Sequence, residues 1–416
     1  MGKIKLAIGS NIFDGPWGGG NQFAVCLTKY LKNKSWSVVN DLKDNDIDII
    51  LLTEPRKNLQ SCRFNQLDIA GYVLKKPNTI VVHRINECDE RKGTKNVNNY
   101  LKRANQVADF TVFISTFLKK IFIDGGILDT KDYLVIKNGA DRGIFNREGI
   151  IKWNKVESLK IVTHHWGGNI YKGFDIYSLI DNILEIGLNQ INKDSYIKCC
   201  KALVKNLSVT NNIYKINKYK INKENIYHLN KDDNKDNQKL EGNFNELIKL
   251  KKLISNMEFC YIGNIPAGFE FKKTKVINPL KGIQLANEIK RNHIYLTASI
   301  NEPAGMHHIE GALCGLPLLY RKSGGIPEYA YGFGVSFIGI NDFFSSLIKL
   351  IENYDYYFNI MDNYPNDSET MCKNYEELFL KLLSNRNLLN LEERKKKYRT
   401  IYFKEKFLYK RYAGDG

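Results

Sequence analysis

Short apolar runs, each closed by glycine, asparagine or a polar turn, recur through the first third of the chain: KIKLAIG at 3–9, IDIILLT at 47–53, TIVVHRI at 79–85, FTVFIS at 110–115 and YLVIKNG at 133–139. Between them lie stretches with helical spacing, NQFAVCLTKYLKN at 21–33, VNNYLKRANQVAD at 97–109 and STFLKKIFIDG at 115–125. Strand, helix and strand in turn, with short linkers, predict a parallel sheet covered on both faces. The polar DRGIFNREG then marks a boundary near residue 150. The alternation restarts with LKIVTHHWGG at 159–168 and FDIYSLIDNILEIG at 174–187, and continues with MEFCYIGNIP at 257–266, TKVINPL at 274–280, KGIQLANEIKRN at 281–292 and HIYLTAS at 293–299. Over roughly 189–242 it gives way to a Lys, Ile, Asn and Tyr near-repeat, expected to be a low-complexity insertion. The pattern predicts an α/β chain of two doubly wound parallel-sheet domains, 1–150 and 151–390, followed by a tail at 391–416.

The length of 416 residues suits two cores rather than one. With 43% hydrophobic and 12% aromatic residues there is ample apolar material, but no run approaches the ~18 residues of a membrane span. The amino terminus reads as a first buried strand, without the small-residue cleavage pattern of a secretory signal. Eight scattered cysteines contain no C-x-x-C pair, so neither a zinc framework nor a disulfide scaffold is expected, and a reducing cytoplasm fits. The formal charge of +17 is spread among Asn and Ile instead of clustering beside aromatic residues, so no nucleic acid partner is expected.

The chemistry concentrates in NEPAGMHHIEGALCGLPLLYRKSGGIPE at 301–328. Ligands of doubly wound sheets sit beyond the carboxyl ends of strands, where helix amino termini attract phosphate. Glu302 would lie in the loop after HIYLTAS, Pro303 and Gly305 would turn the chain into a helix, and Glu310 would follow. Eight positions on one helix separate two side chains by about 80°, so both carboxylates could face one cleft. The amides of Gly305, Met306 and His307 would then point at a diphosphate, and Glu310 could accept bonds from a ribose diol, each worth roughly 1.5–3 kcal/mol. The alternative is an ordinary amphipathic helix with two surface glutamates. A metal site built on His307 or His308 with Glu310 lacks a third ligand, and no H-E-x-x-H pattern occurs, so no metal is expected.

Three other stretches bear on this. Lys172 follows the strand LKIVTHHW and its loop, where a cation would neutralise a nucleoside diphosphate leaving group, unless it is a plain solvated lysine. The loop GPWGGGNQ at 15–22 would let a ligand approach the backbone or simply turn the chain; Phe23 stands where a dinucleotide fingerprint needs its third glycine, which disfavours a nicotinamide or flavin cofactor. VVHRINECDER at 81–91 places His83, Arg84 and Asp89 at a strand end, where they could orient an acceptor hydroxyl. His83 equally reads as a buried histidine, and Asp89 as the cap of the next helix.

Taken together, Glu302-Pro303-x-Gly305, Glu310, Cys314-Gly315-x-Pro317 and Ser323-Gly324-Gly325-x-Pro327-Glu328 resemble the E-x(7)-E donor-site signature of retaining glycosyltransferase family four. The loop Gly18-Gly19-Gly20-Asn21, the turn Lys137-Asn138-Gly139-Ala140-Asp141 with Phe145, and Lys172-Gly173 extend the resemblance over most of the chain. It implies the GT-B architecture, two Rossmann-like domains with a cleft between them, the second holding the nucleotide sugar. It also implies transfer of a sugar, with retention and without cofactor or essential metal, to a hydroxyl on a glycan, glycolipid or surface polysaccharide precursor. By position, Glu302 and Lys172, with His83, would form the catalytic set. Glu310, Gly305, Met306, His307, His165 and Gly167 would bind the donor, and Gly18, Gly19, Gly20, Asn21, Arg84 and Asp89 would face the acceptor or a sugar phosphate. Where the family usually has a Gly-Arg pair after the strand, this chain has His164-His165-Trp166-Gly167-Gly168. The basic tail would return to the first domain as a helix, or meet an anionic membrane peripherally. A nucleotide-sugar epimerase or hydrolase, and a non-catalytic sugar-nucleotide binder, remain as other readings.

Overall fold

A computed structural model describes residues 3–15, 17–200 and 233–413. The chain forms two compact units: the first contains Met1–Asp89, Thr94–Asp141 and Asn366–Gly416, the second Glu90–Gly93 and Arg142–Pro365.

The sheet of the first unit has the strands β1 (Lys5–Ile8), β2 (Ser37–Val39), β3 (Ile49–Leu52), β4 (Ile80–Ile85), β5 (Phe110–Phe113) and β6 (Tyr133–Val135), in the order β2-β1-β3-β4-β5-β6. Every pairing is parallel. All four residues of β3 and all six of β4 are buried, as unalternating apolar strings require when helices cover both faces. On one face, helix Gly19–Asn33 buries Phe23, Leu27 and Leu31 in a cluster shared with Met371, Tyr375 and Phe379 of helix Ser368–Ser384. On the other, Ile69, Ala70 and Val73 of helix Gln66–Lys75 pack with Tyr398 and Ile401 of helix Leu391–Ala413. Both carboxyl-terminal helices thus complete this unit's core.

The second unit contains β7 (Leu159–His165), β8 (Met257–Gly263), β9 (Lys275–Ile277), β10 (Ile294–Thr297), β11 (Leu318–Arg321) and β12 (Gly334–Phe337), in the parallel order β12-β11-β10-β7-β8-β9. Read from the other edge this is the Rossmann order 3-2-1-4-5-6, and succession reverses between β7 and β10. Strands β2, β11 and β12 were not among the predicted runs. Within the stretch expected to loop out, Ile191, Tyr196 and Cys200 are buried in the unit's core, together with Leu247 and Leu250 of helix Asp233–Leu253 just beyond it. The centre of that insertion, 201–232, lies outside the described residues. No helix among the described residues is long and apolar enough to cross a membrane.

Candidate functional site

The strand reversal in the second unit brings the ends of β7 and β10 side by side, and the predicted donor residues emerge there. Three glycines shape the loop after β10. Gly173 takes φ 98°, and a Cβ on it would lie 2.3 Å from the Cβ of Ala298, so the Lys172 turn rests directly on the strand end. The Ile300 amide completes that contact by donating to the Tyr171 carbonyl at 2.7 Å. Gly324, at φ 63°, would carry its Cβ 2.4 Å from the Glu302 carbonyl, which accepts the Gly325 amide at 2.8 Å. Gly305, at φ 75°, precedes helix Met306–Leu313, whose first amides have no intrahelical partners.

Glu302, only 4% exposed, sits between two cations. Lys172 Nζ donates to its Oε2 at 2.5 Å, and Arg91 Nε lies 3.2 Å from its Oε1. Burial opposes the charge on this carboxylate, yet the Arg91 guanidinium and the Lys172 ammonium outweigh it and hold the group ionised well below the usual carboxylate range. The trio carries one net positive charge. Arg91 reaches it because Glu90–Gly93 belongs to the second unit, anchored by the Glu90 carbonyl, which accepts from Asn301 Nδ2 at 3.2 Å.

Glu310 lies on the adjoining helix, buried, and its Oε2 takes a bond from His164 Nε2 at 2.6 Å. His164 is the penultimate residue of β7. His165 follows, its Nε2 bonded to Tyr177 Oη at 2.8 Å, with its ring centre 4.5 Å from that of His307. His307 in turn meets Thr297 Oγ1 through Nε2 at 2.7 Å. Burial, with the positive charge of neighbouring groups, pushes His165 and His307 well below the ordinary histidine range. His308 is enclosed, and among the described residues neither of its ring nitrogens has a partner; burial takes its pKa down to about 3. Below this layer, buried Arg321 Nη2 pairs with Asp175 Oδ2 at 2.5 Å, fastening the first turn of helix Phe174–Ile186 to the end of β11.

The structure therefore gathers Lys172, Glu302, Gly305, Met306, His307, Glu310, His165 and the turn containing Gly167 around one strand reversal. The alternative of two surface glutamates and a solvated lysine does not apply, since all three side chains are buried. Arg91 and Tyr295 escaped the sequence reading. Arg91 offered the signal of a cation just past a strand, whereas Tyr295 looked like any other residue of a buried string. Among the described residues, no group of three or more His, Cys, Asp or Glu side chains is arranged to hold a metal.

The candidates of the first unit separate into different roles. Gly18 precedes helix Gly19–Asn33, and Gly19 and Gly20 form its first turn. The Asn21 side chain clasps Phe13, accepting from its amide and donating to its carbonyl at 2.9 Å each, so it braces the glycine loop. His83 and Arg84 lie in the last three residues of β4, inside the strand itself. His83 pairs with Leu52 and Thr111 across the sheet and is 0% exposed. Its Nδ1 bonds Asn105 Oδ1 at 2.8 Å, and burial lowers its pKa to about 4. It is a neutral interior histidine, with no surface to offer an acceptor. Arg84 is buried as well, donating to Asn138 Oδ1 at 2.9 Å and lying 3.8 Å from the centre of the Phe23 ring. Asp89 takes the capping alternative: its carboxylate accepts the amides of Val97 at 2.9 Å and Asn98 at 3.0 Å.

No family model and no curated protein matches the chain. Solved structures do. A glycosyltransferase from Rickettsia africae aligns over 92% of this chain and 100% of its own, with TM-score 0.56 and 12% identity. The sucrose-phosphate synthase of Thermosynechococcus elongatus aligns over 92% and 100%, with TM-score 0.56 and 9% identity. HepE of Anabaena, in complex with UDP-glucose, aligns over 91% and 100%, with TM-score 0.55 and 11% identity. At such identities the likeness is one of fold, and with the two six-stranded parallel sheets it gives the chain the GT-B fold of two Rossmann-like domains.

Proposed function

We propose that the protein is a glycosyltransferase that moves a sugar from a nucleoside diphosphate sugar to a hydroxyl acceptor with retention of anomeric configuration. The observation that carries this reading is the buried Glu302 held by Lys172 and Arg91 at the β7/β10 reversal, beside the amino end of helix Met306–Leu313. Two cations facing one carboxylate leave a positive balance where a diphosphate would arrive, and the helix amides add to it. Lys172 and Arg91 would turn from Glu302 to the diphosphate. In this reading Arg91 supplies the guanidinium that the His164-His165 segment lacks. Glu302 would then contact the sugar and Glu310 the ribose. In the transfer step the bond from C1 to the diphosphate oxygen breaks while the acceptor oxygen bonds to C1 on the same face. The acceptor's proton passes to the departing diphosphate.

HepE was solved with UDP-glucose, so UDP-sugars are the first donors to try. The acceptor class favoured is a glycan, glycolipid or surface polysaccharide precursor. Exposed Phe403 and Phe407 on the basic helix Leu391–Ala413 support peripheral contact with an anionic membrane. The test is a mass-spectrometric screen of UDP-, GDP- and ADP-sugars with hydroxyl acceptors, run with and without EDTA. A glycosylated product that retains the anomeric configuration by NMR is expected. Nucleotide release without acceptor glycosylation would replace the transferase with a hydrolase, and loss of activity in EDTA would overturn the metal-free mechanism.

A further inference from the structure

The carboxylate of Glu310 is not left to find its own orientation. Strand β10 pairs with β7 through Ile294 with Ile161 and Tyr295 with Val162, so His164 lies past this pairing on β7. Its amide instead donates to the Tyr295 phenol oxygen at 3.1 Å. That oxygen also lies 2.9 Å from His164 Nδ1. With the phenol oxygen accepting from the amide, the arrangement that gives the phenol proton an acceptor places it on Nδ1, as the unprotonated ring nitrogen. In that arrangement the ring proton sits on Nε2, 2.6 Å from Glu310 Oε2. The order would then run one way: amide, phenol, imidazole, carboxylate. Burial raises the Tyr295 pKa well above the ordinary phenol range, so the phenol keeps the proton that the order requires.

Gly311 lets the helix come close enough. A Cβ at that position would lie 2.2 Å from Tyr295 Cδ2, so only a glycine beside Glu310 allows the helix to rest on the tyrosine ring. With Oε2 committed to His164, Oε1 has no partner among the described residues.

We propose that Tyr295 and His164 are positioning residues that hold Glu310 with one oxygen bound and the other presented to a ribose hydroxyl, and so set selectivity for ribose over deoxyribose. This rests on the donor-binding reading above. Within it, a carboxylate held at one oxygen accepts a hydroxyl without first paying the entropy of being ordered.

The experiment has two readouts on the full chain. In protein labelled with 15N in its seven histidine rings, His164, assigned by its loss in His164→Gln, should show the Nε2–H tautomer, and Tyr295→Phe should shift that signal. UDP, GDP and ADP are then titrated in turn against their 2′,3′-dideoxy counterparts. Wild type should prefer the ribonucleotide, Tyr295→Phe and His164→Leu should each lower that preference about tenfold, and His164→Gln, which keeps a donor, should retain most of it. Dideoxynucleotide affinity should not change, which a general loss of structure would not achieve. A His164 Nδ1–H tautomer overturns the relay whatever nucleotide binds. An unchanged ribose preference in Tyr295→Phe overturns its selective role. If the wild type binds no nucleoside diphosphate, the functional reading and its ribose arm fall, while the tautomer still decides the relay.

Discussion

Glu302 shows why a buried charge is informative. Removing one member of a buried ion pair typically costs about 3–5 kcal/mol, because the remaining charge loses its counterion. Glu302→Gln leaves both Lys172 and Arg91 facing a neutral amide, and the variant is expected to melt at lower temperature than the wild type. The same change makes the site a stronger trap for anions, so pyrophosphate should raise the melting temperature more in Glu302→Gln than in the wild type. Equal shifts in a thermal-shift titration would contradict a diphosphate role for the two cations. For transfer itself, Lys172→Ala and Glu310→Ala should each reduce turnover by about two orders of magnitude or more, measured as product formed under saturating donor; near-normal rates in either would remove it from the site. Glu302 and Glu310 were legible in the sequence because they share one continuous motif. Arg91 lies 211 positions from Glu302 along the chain, and Tyr295 131 from His164, and no local pattern encodes such meetings.

At the scale of elements, helix Met306–Leu313 and β10 are fitted by the absence of a side chain. Alanine ordinarily favours a helix interior by about 1 kcal/mol over glycine. At position 311 the sign should reverse, since the added methyl meets the Tyr295 ring and overpacking of this kind costs about 1–3 kcal/mol. Gly311→Ala should therefore lower the urea midpoint; a stabilised variant would show that helix and strand are not so tightly apposed. Most strands could be read directly, as buried strings between turns. Strand β2 could not, for its three residues are all half-buried and carry no contrast. Strands β11 and β12 have four residues each, and the chain around β11 reads first as a motif of glycines and prolines. The helix Asp233–Leu253 was masked by the polar repeat before it, although Leu247 and Leu250 are fully buried.

Across the whole molecule, the enclosed histidines couple stability to pH. His83, His165, His307 and His308 all have pKa values lowered by burial, to about 4 for His83 and about 3 for His308, against 6.5 when unperturbed. Above that value both folded and unfolded chains hold them neutral, and they contribute no pH dependence. Below it the unfolded chain takes up protons that the folded chain refuses, so stability falls until the folded sites themselves titrate. The slope approaches about 1.4 kcal/mol per pH unit for each such histidine. Urea midpoints measured at pH 7, 6 and 5 should change little at first and fall more steeply between pH 6 and 5, and a flat series would show that these rings are not kept neutral.

The assignment of Glu90–Gly93 to the second unit has a bearing on how this protein can be taken apart or recombined. A chimera that borrows only 142–365 would import Glu302 and Lys172 but leave behind Arg91. The recipient would have to supply a guanidinium from its own loop or accept a weaker anion site. Inheritance of the Glu302 charge cluster is therefore split along the gene, and exchange of the two halves at the obvious seam transmits an incomplete set of charges.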